Sequence, residues 1–143
     1  MTARDKEEAN KAMHITLESD YAVRIVYSLA RAGERTDAQT LADRTGVSLR
    51  FTLKIMRKLV SAGIVCSFKG AHGGYILARP AGEITLRQVI EAVEGPYRFS
   101  RCLDSEYDCN CPLTEPCPFH SVFGEVSRLV KDKLDQVTFA PNA

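Results

Sequence analysis

The chain predicts a mainly helical fold with one small β-hairpin, and three observations predict it. Two short helical segments meet at the Gly46-Val47-Ser48 turn. The second of them separates an apolar stripe from a basic one. Two β-rich runs flanking the loop KGAHGG follow directly. Together these specify a winged helix-turn-helix, and a long amphipathic helix comes last. At 143 residues, with 45% hydrophobic and 26% charged residues, the chain has the makeup of a soluble domain with a real core.

Residues 1–12 are polar, lack apolar periodicity and are expected to be disordered. A DNA-binding unit is expected over residues 13–95, a cysteine-rich loop over 96–120, and a dimerisation helix and tail over 121–143. The first helix is predicted from Ser19 to Ala32, with Ser19 as N-cap and Asp20 in the first turn. Ala22, Ile25, Val26 and Leu29 recur at helical spacing, and Gly33 ends the run. Asp37 opens a second helix over Ala38 to Thr45, Gly46 makes the turn, and Val47 plugs the core. Ser48 caps a third helix reaching about Ala62. Its apolar face is Phe51, Ile55, Met56, Leu59 and Val60, and its polar face is Arg50, Lys54, Arg57, Lys58 and Ser61. The runs Ile64 to Phe68 and Tyr75 to Ala78 form the hairpin, in which Cys66 is expected to be a small buried hydrophobe. Thr85 and Gln88 make a capping box for a helix with Leu86, Val89, Ile90 and Val93 inward, closed by Gly95-Pro96. A last helix from about Phe119 to Val137 carries Val122, Phe123, Val126, Val130, Leu134 and Val137. That stripe is too long for the small core beside it, so pairing with a second copy is expected.

No apolar run is long enough to span a bilayer, and the first residues lack the apolar core of a secretory signal, so no membrane role and a cytoplasmic location are expected. No phosphate loop, nucleophile–base pair or dinucleotide fingerprint marks an enzyme. The net charge of +1 conceals a segregation. From Arg44 to Arg79 there are seven basic residues (Arg44, Arg50, Lys54, Arg57, Lys58, Lys69, Arg79) and no acidic one. One surface is thereby suited to a polyanion. Double-stranded DNA is the expected partner, the alternative being a winged helix used for protein contact. Residues near the start of a recognition helix reach base edges, which selects Ser48 and Arg50, while Lys54, Arg57 and Lys58 suit phosphates. Lys69, Gly70, His72, Gly73, Gly74 and Tyr75 are the candidate contacts of the wing, where glycines allow close backbone approach. The alternative for His72 is an inert loop residue.

Four of the five cysteines fall within CLDSEYDCNCPLTEPCPFH, as Cys102, Cys109, Cys111 and Cys117, with His120 closing the stretch. Thiolates and an imidazole suit zinc or an iron–sulfur cluster rather than magnesium or calcium. The zinc reading lacks paired Cys-x2–4-Cys knuckles. Bare redox thiols are a third reading. An electron-carrier subunit is a fourth, lacking ferredoxin spacing and leaving the basic winged helix unexplained.

The segments LADRTGVSLRFTLKIMRKLVSAGIV, KGAHGGYILARP and TLRQVIEAVEG, with the start MHITLESDYAVRIVYSLA, resemble the bacterial winged-helix repressors typified by IscR and NsrR. The resemblance runs from Met13 to the end of the last helix. It implies a homodimer, a palindromic operator and transcriptional control through an iron–sulfur cluster sensing redox state, nitric oxide or iron. In the IscR branch three cysteines and a histidine hold a 2Fe–2S cluster. Cys111, Cys117 and His120 match that spacing, and Cys102 matches by its distance from the preceding helix. Three residues are inserted between Cys102 and Cys111, and Cys109 has no counterpart, which makes it an alternative ligand. In the NsrR branch the cluster is 4Fe–4S, and an aspartate of the partner's first helix can complete it. Asp20 matches that aspartate and is equally an ordinary first-turn acid. The Cys117-x2-His120 pair favours 2Fe–2S.

Overall fold

The chain runs α1 (Leu17–Ala32), α2 (Ala38–Thr45), α3 (Leu49–Ser61), β1 (Val65–Phe68), β2 (Gly74–Leu77), α4 (Leu86–Glu94) and α5 (Pro118–Asp135), with short 3-10 turns at Ala81–Glu83 and Arg101–Leu103. The computed structural model describes residues 14–110 and 117–141. The disorder expected for residues 1–12 lies outside the described residues.

Helix α1 is the centre of the packing, touching α2, α3, α4 and β2. Ala22, Ile25, Val26 and Leu29 form its buried stripe, and Gly33 stops it in a left-handed conformation at φ 64°. The N-cap is Thr16 rather than the expected Ser19, which is itself fully buried. The Thr16 hydroxyl accepts from the Ser19 N–H at 3.1 Å, while its own N–H and hydroxyl donate to Glu94 Oε1 at 2.8 and 2.7 Å. Both residues are good caps, and the carboxylate that selects Thr16 comes from 78 residues away. Burial alone would raise the Glu94 pKa, but the neighbouring Ser19 hydroxyl and the bonds from the Thr16 hydroxyl and amide outweigh it and leave the carboxyl below its ordinary value. The tie therefore stabilises the fold above the carboxylate's ordinary titration range and is lost as pH falls through the lowered pKa.

Helices α2 and α3 form as the sequence predicts. Asp37 caps α2 by accepting from the Thr40 N–H at 2.8 Å. That bond, with one from the Thr40 hydroxyl, holds the Asp37 carboxyl below its ordinary pKa. Gly46 turns the chain at φ 72°, Val47 is buried, and Ser48 caps α3 by accepting from the Phe51 N–H. The inward face of α3 is Thr52, Ile55, Met56 and Leu59. Phe51 is half-buried edge-on to Tyr21, and Val60 is exposed. The apolar stripe is thus narrower than predicted, with Thr52 inside it.

The hairpin is antiparallel in the register Val65↔Leu77, Cys66↔Ile76, Ser67↔Tyr75 and Phe68↔Gly74. Cys66 is exposed, which corrects the expected burial. A strand turns alternate side chains to opposite faces, and here Val65 takes the core side and Cys66 the other. A bridge to Thr36 extends the sheet, with paired Tyr75–Thr36 backbone bonds of 2.8 and 2.9 Å. Gly74 permits that approach, since a Cβ there would stand 2.8 Å from the Thr36 carbonyl oxygen, at φ 141°.

The capping box of Thr85 and Gln88 starts α4, which buries Val89, Ile90 and Val93. The final helix ends at Asp135, two residues earlier than predicted, because the tail turns back onto α4. The Leu86 N–H donates to the Val137 carbonyl at 2.8 Å, and the buried Phe139 donates its N–H to the Ala81 and Ile84 carbonyls. Arg87 links Glu91 and Asp135 at 2.8 and 2.9 Å. Phe139→Ala should therefore lower stability by about 3 kcal/mol, read as a lower urea midpoint at unchanged slope. A shift below about 0.5 kcal/mol, the usual range for a surface substitution, would contradict this docking.

Candidate nucleic-acid interface and cysteine cleft

Ser48, Leu49, Arg50, Phe51, Leu53, Lys54 and Arg57 line one open depression of about 660 Å³ at the N-terminal half of α3. Arg50, Lys54 and Arg57 are exposed and paired with no carboxylate among the described residues, so three cations project from one face of a helix that carries no acid. The Lys54 ammonium sits 5.5 Å from the Phe51 ring centroid, which holds its stem along the helix. Lys58 is placed differently. Its Nζ stands 2.8 Å from Glu18 Oε1 and donates to the Val93 carbonyl at 3.2 Å, tying α3 to α1 and α4. An ammonium so engaged has less to offer a phosphate than its exposed neighbours.

At the wing, Lys69, Gly70 and His72 are exposed at the tip, whereas Gly73, Gly74 and Tyr75 are half-buried at its base. Gly73 closes the turn by donating to the Gly70 carbonyl at 2.9 Å, and a Cβ on it would stand 2.7 Å from the Phe68 carbonyl oxygen. The two glycines therefore shape the wing. Arg35, which the sequence did not single out, clamps it. Its guanidinium lies 3.7 Å from the Phe68 ring centroid and donates to the His72 carbonyl at 2.9 Å. An arginine three residues beyond a helix end carries no local signal of that role.

A second cleft, of about 430 Å³, opens between the 101–103 turn and the start of α5. Cys102, Cys109, Cys117 and His120 all line it, with Arg101, Tyr107 and Phe123. Cys102 sits on the turn, where its N–H donates to the Ser100 hydroxyl. Cys117 is the N-cap of α5, Pro118 follows at the first helical position, and His120 is in the first turn. Among the described residues no side chain caps that turn, so its N–H groups and helix dipole favour negative charge at the mouth of the cleft. Phe123 packs between Phe99 and Phe119, at centroid distances of 5.4 and 6.4 Å, and anchors α5 against the loop. Cys111 lies outside the described residues. Among the described residues no three acidic, cysteine or histidine side chains stand close enough to share one ion. The donor chemistry of the cleft, soft sulfur with one imidazole, nevertheless fits an iron–sulfur cluster. Asp20 does not line this cleft, and its carboxylate is paired with Arg24 at 2.8 Å.

The outward side of α5 leaves large apolar residues in solvent. Val122 is 50% exposed and Leu129 69%, while Val126, Val130 and Leu134 are half-buried. The predicted stripe thus combined inward and outward positions, and Leu129 was not among them. No helix among the described residues is long and apolar enough to cross a membrane.

The Rrf2 family model, described as an iron-dependent transcriptional regulator, matches residues 15–141. The chain is 33% identical to Protein rrf2 of Nitratidesulfovibrio vulgaris over 90% of its own length and 85% of that protein. It is 28% identical to the HTH-type transcriptional regulator IscR of Pectobacterium carotovorum, over 88% of this chain and 76% of that one. Its fold is similar to that of CymR, the global cysteine regulator of B. subtilis, with a TM-score of 0.72 and 24% identity over 90% of this chain and 94% of that one. The family and structural matches are transcriptional regulators rather than enzymes.

Proposed function

The chain belongs to the Rrf2 family of DNA-binding transcriptional regulators, and from that premise we propose that an iron–sulfur cluster in its cysteine cleft controls its hold on an operator. The observation that carries this reading is that Cys102, Cys109, Cys117 and His120 all line one cleft at the start of α5. Cys102, Cys111, Cys117 and His120 would hold a 2Fe–2S cluster, with Cys109 the alternative thiolate and a partner's Asp20 the further donor of a 4Fe–4S form. Such a cluster supplies a redox-active centre that oxidants or nitric oxide can attack. Three thiolates leave a histidine as the protonatable, weaker donor.

Ligation at Cys117 and His120 would fix the first turn of α5. Helix α5 packs on α4, and α4 packs on α3, where Lys58 reaches the Val93 carbonyl. A contiguous route of packed helices thus joins the cleft to the recognition helix, so ordering or freeing the loop biases the placement of α3. The regulator acts as a cytoplasmic homodimer on a palindromic site, through Ser48 and Arg50 at base edges and Lys54, Arg57, Lys69 and His72 along the backbone. The wing glycines and Tyr75 keep the tip at the groove edge. With Lys54, Arg57 and Lys69 on phosphates in each of two copies, affinity should fall by about a thousandfold between roughly 50 and 200 mM salt. Arg50→Ala should cost about 1–3 kcal/mol against the preferred site and relax one position, whereas Lys54→Ala should weaken every sequence alike. Equal losses from both on all sequences would contradict these roles.

A second reading, sensing by thiols without metal, is favoured by the described donors not converging on one point. Protein purified without oxygen separates the two. Visible colour with bound iron and labile sulfide, and operator affinity that changes when the colour is bleached, is the expected result. Colourless protein with titratable thiols would establish the second reading, and stoichiometric zinc would make the loop a structural metal site.

A further inference from the structure

We propose that Leu49 and Leu53 read thymine methyl groups beside the base contacted by Arg50, so that the preferred operator carries thymine next to that position. The inference rests on α3 being the helix that enters the major groove. Its core-facing side is complete with Thr52, Ile55, Met56 and Leu59. Leu49 and Leu53 lie outside that set, 40% and 36% exposed, and they line the same depression as Ser48, Arg50, Lys54 and Arg57. A four-residue spacing sets the two leucines side by side. They occupy the first and fifth positions of the helix, the part from which side chains reach base edges.

Apart from the half-buried Phe51, the other residues of that depression are three cations and a hydroxyl, so the exposed apolar surface of the pair needs a partner of its own. The floor of the major groove offers one apolar feature, the C5 methyl of thymine, among hydrogen-bond donors and acceptors. A leucine against a methyl removes apolar surface from water on both sides. The same leucine against a G·C edge would leave polar groups desolvated and unpaired, so the pair selects by exclusion as well as by contact. A second copy of α3 is a poor occupant, because it would bring Arg50, Lys54 and Arg57 against their own counterparts.

The test uses the full-length chain and a double-stranded site enriched from random DNA. Each thymine of that site is replaced singly by deoxyuridine, which removes only the methyl. Binding should weaken about threefold to tenfold at one or two positions adjacent to the one relaxed by Arg50→Ala, and be unchanged elsewhere. Leu53→Ala should abolish the thymine–uridine difference at one position, and Leu49→Ala at the other. Both variants should bind the uridine site within about twofold of the unsubstituted protein, since the contact they lack is already gone. The inference is overturned if uridine has no effect anywhere on a site that still binds, or if the leucine variants lose equally on thymine and uridine. A change in oligomeric state in these variants would overturn it in favour of a protein contact. Failure to enrich any sequence would instead refute the DNA-contacting role of α3 on which it rests.

Discussion

Serine in place of Cys102 or Cys117 should bleach the protein and uncouple its DNA affinity from oxidants. Each substitution would remove a sulfur donor from the cleft at the start of α5, and an iron atom short of one ligand does not hold its cluster. Visible absorption, iron and sulfide content should all fall to near background in either variant. Cys111→Ser should behave the same way if Cys111 completes the set. His120→Ala should bleach or shift the spectrum, and His120→Cys should retain colour while lowering the reduction potential, because a thiolate adds negative charge that an imidazole lacks. Cys66→Ser is the internal control. Its side chain is on the outward face of β1, away from the cleft, so both colour and DNA binding should survive. Cys109→Ser discriminates within the loop. It should be silent if Cys102 is the ligand and damaging if the inserted residues have moved ligation to Cys109. Sensitivity to Asp20→Ala would identify the 4Fe–4S form, and would require the Asp20 carboxylate to leave Arg24. Colour that persists in both Cys102→Ser and Cys117→Ser would refute the assignment.

The elements legible in the sequence are those fixed by local rules. The second and third helices run from their predicted caps because Asp37 and Ser48 bond to N–H groups three residues on, and because Gly46 alone supplies the left-handed turn between them. The capping box at Thr85 is equally local. What escaped the sequence is set by distant partners. Thr16 displaces Ser19 as the first cap because Glu94 reaches it. Phe139 is buried because the tail folds back on α4, and a lone aromatic near a chain end has no periodic pattern to announce that. Lys58 follows the basic spacing perfectly well, yet Glu18 and the Val93 carbonyl claim it from two other helices. The exposure of Cys66 has a different cause. A four-residue strand alternates faces, and its phase depends on which neighbour packs beneath, here the core under Val65. The candidate ligands were legible as a cluster, because a short loop keeps them near one another whatever its path. Their arrangement was not, because no periodicity governs a proline-punctuated loop.

Glutamate at Val122 and Leu129 together should convert the proposed dimer to monomers and reduce affinity for a two-half-site operator by about a hundredfold to ten-thousandfold. The two positions are seven residues apart on an 18-residue helix, so they share a face. They are among its most exposed large apolar residues, whereas Val126 and Val130 are half-buried against their own subunit. Charge at Val126 and Val130 would disturb that packing and confuse unfolding with dissociation. At Val122 and Leu129 the folded subunit loses little packing, so helix content and thermal midpoint should stay close to those of the unsubstituted chain. Four carboxylates would instead be driven into one symmetric contact, where each is desolvated and faces like charge. Sedimentation should then give a monomer at micromolar concentration for the variant and a dimer for the unsubstituted chain. Binding to an isolated half-site should be nearly unchanged, since α3 and the wing are intact and only the linkage between two of them is gone. An unsubstituted chain that sediments as a monomer at that concentration would overturn the role assigned to α5. So would a double-glutamate variant that remains dimeric, because the surface that pairs would then have to be another.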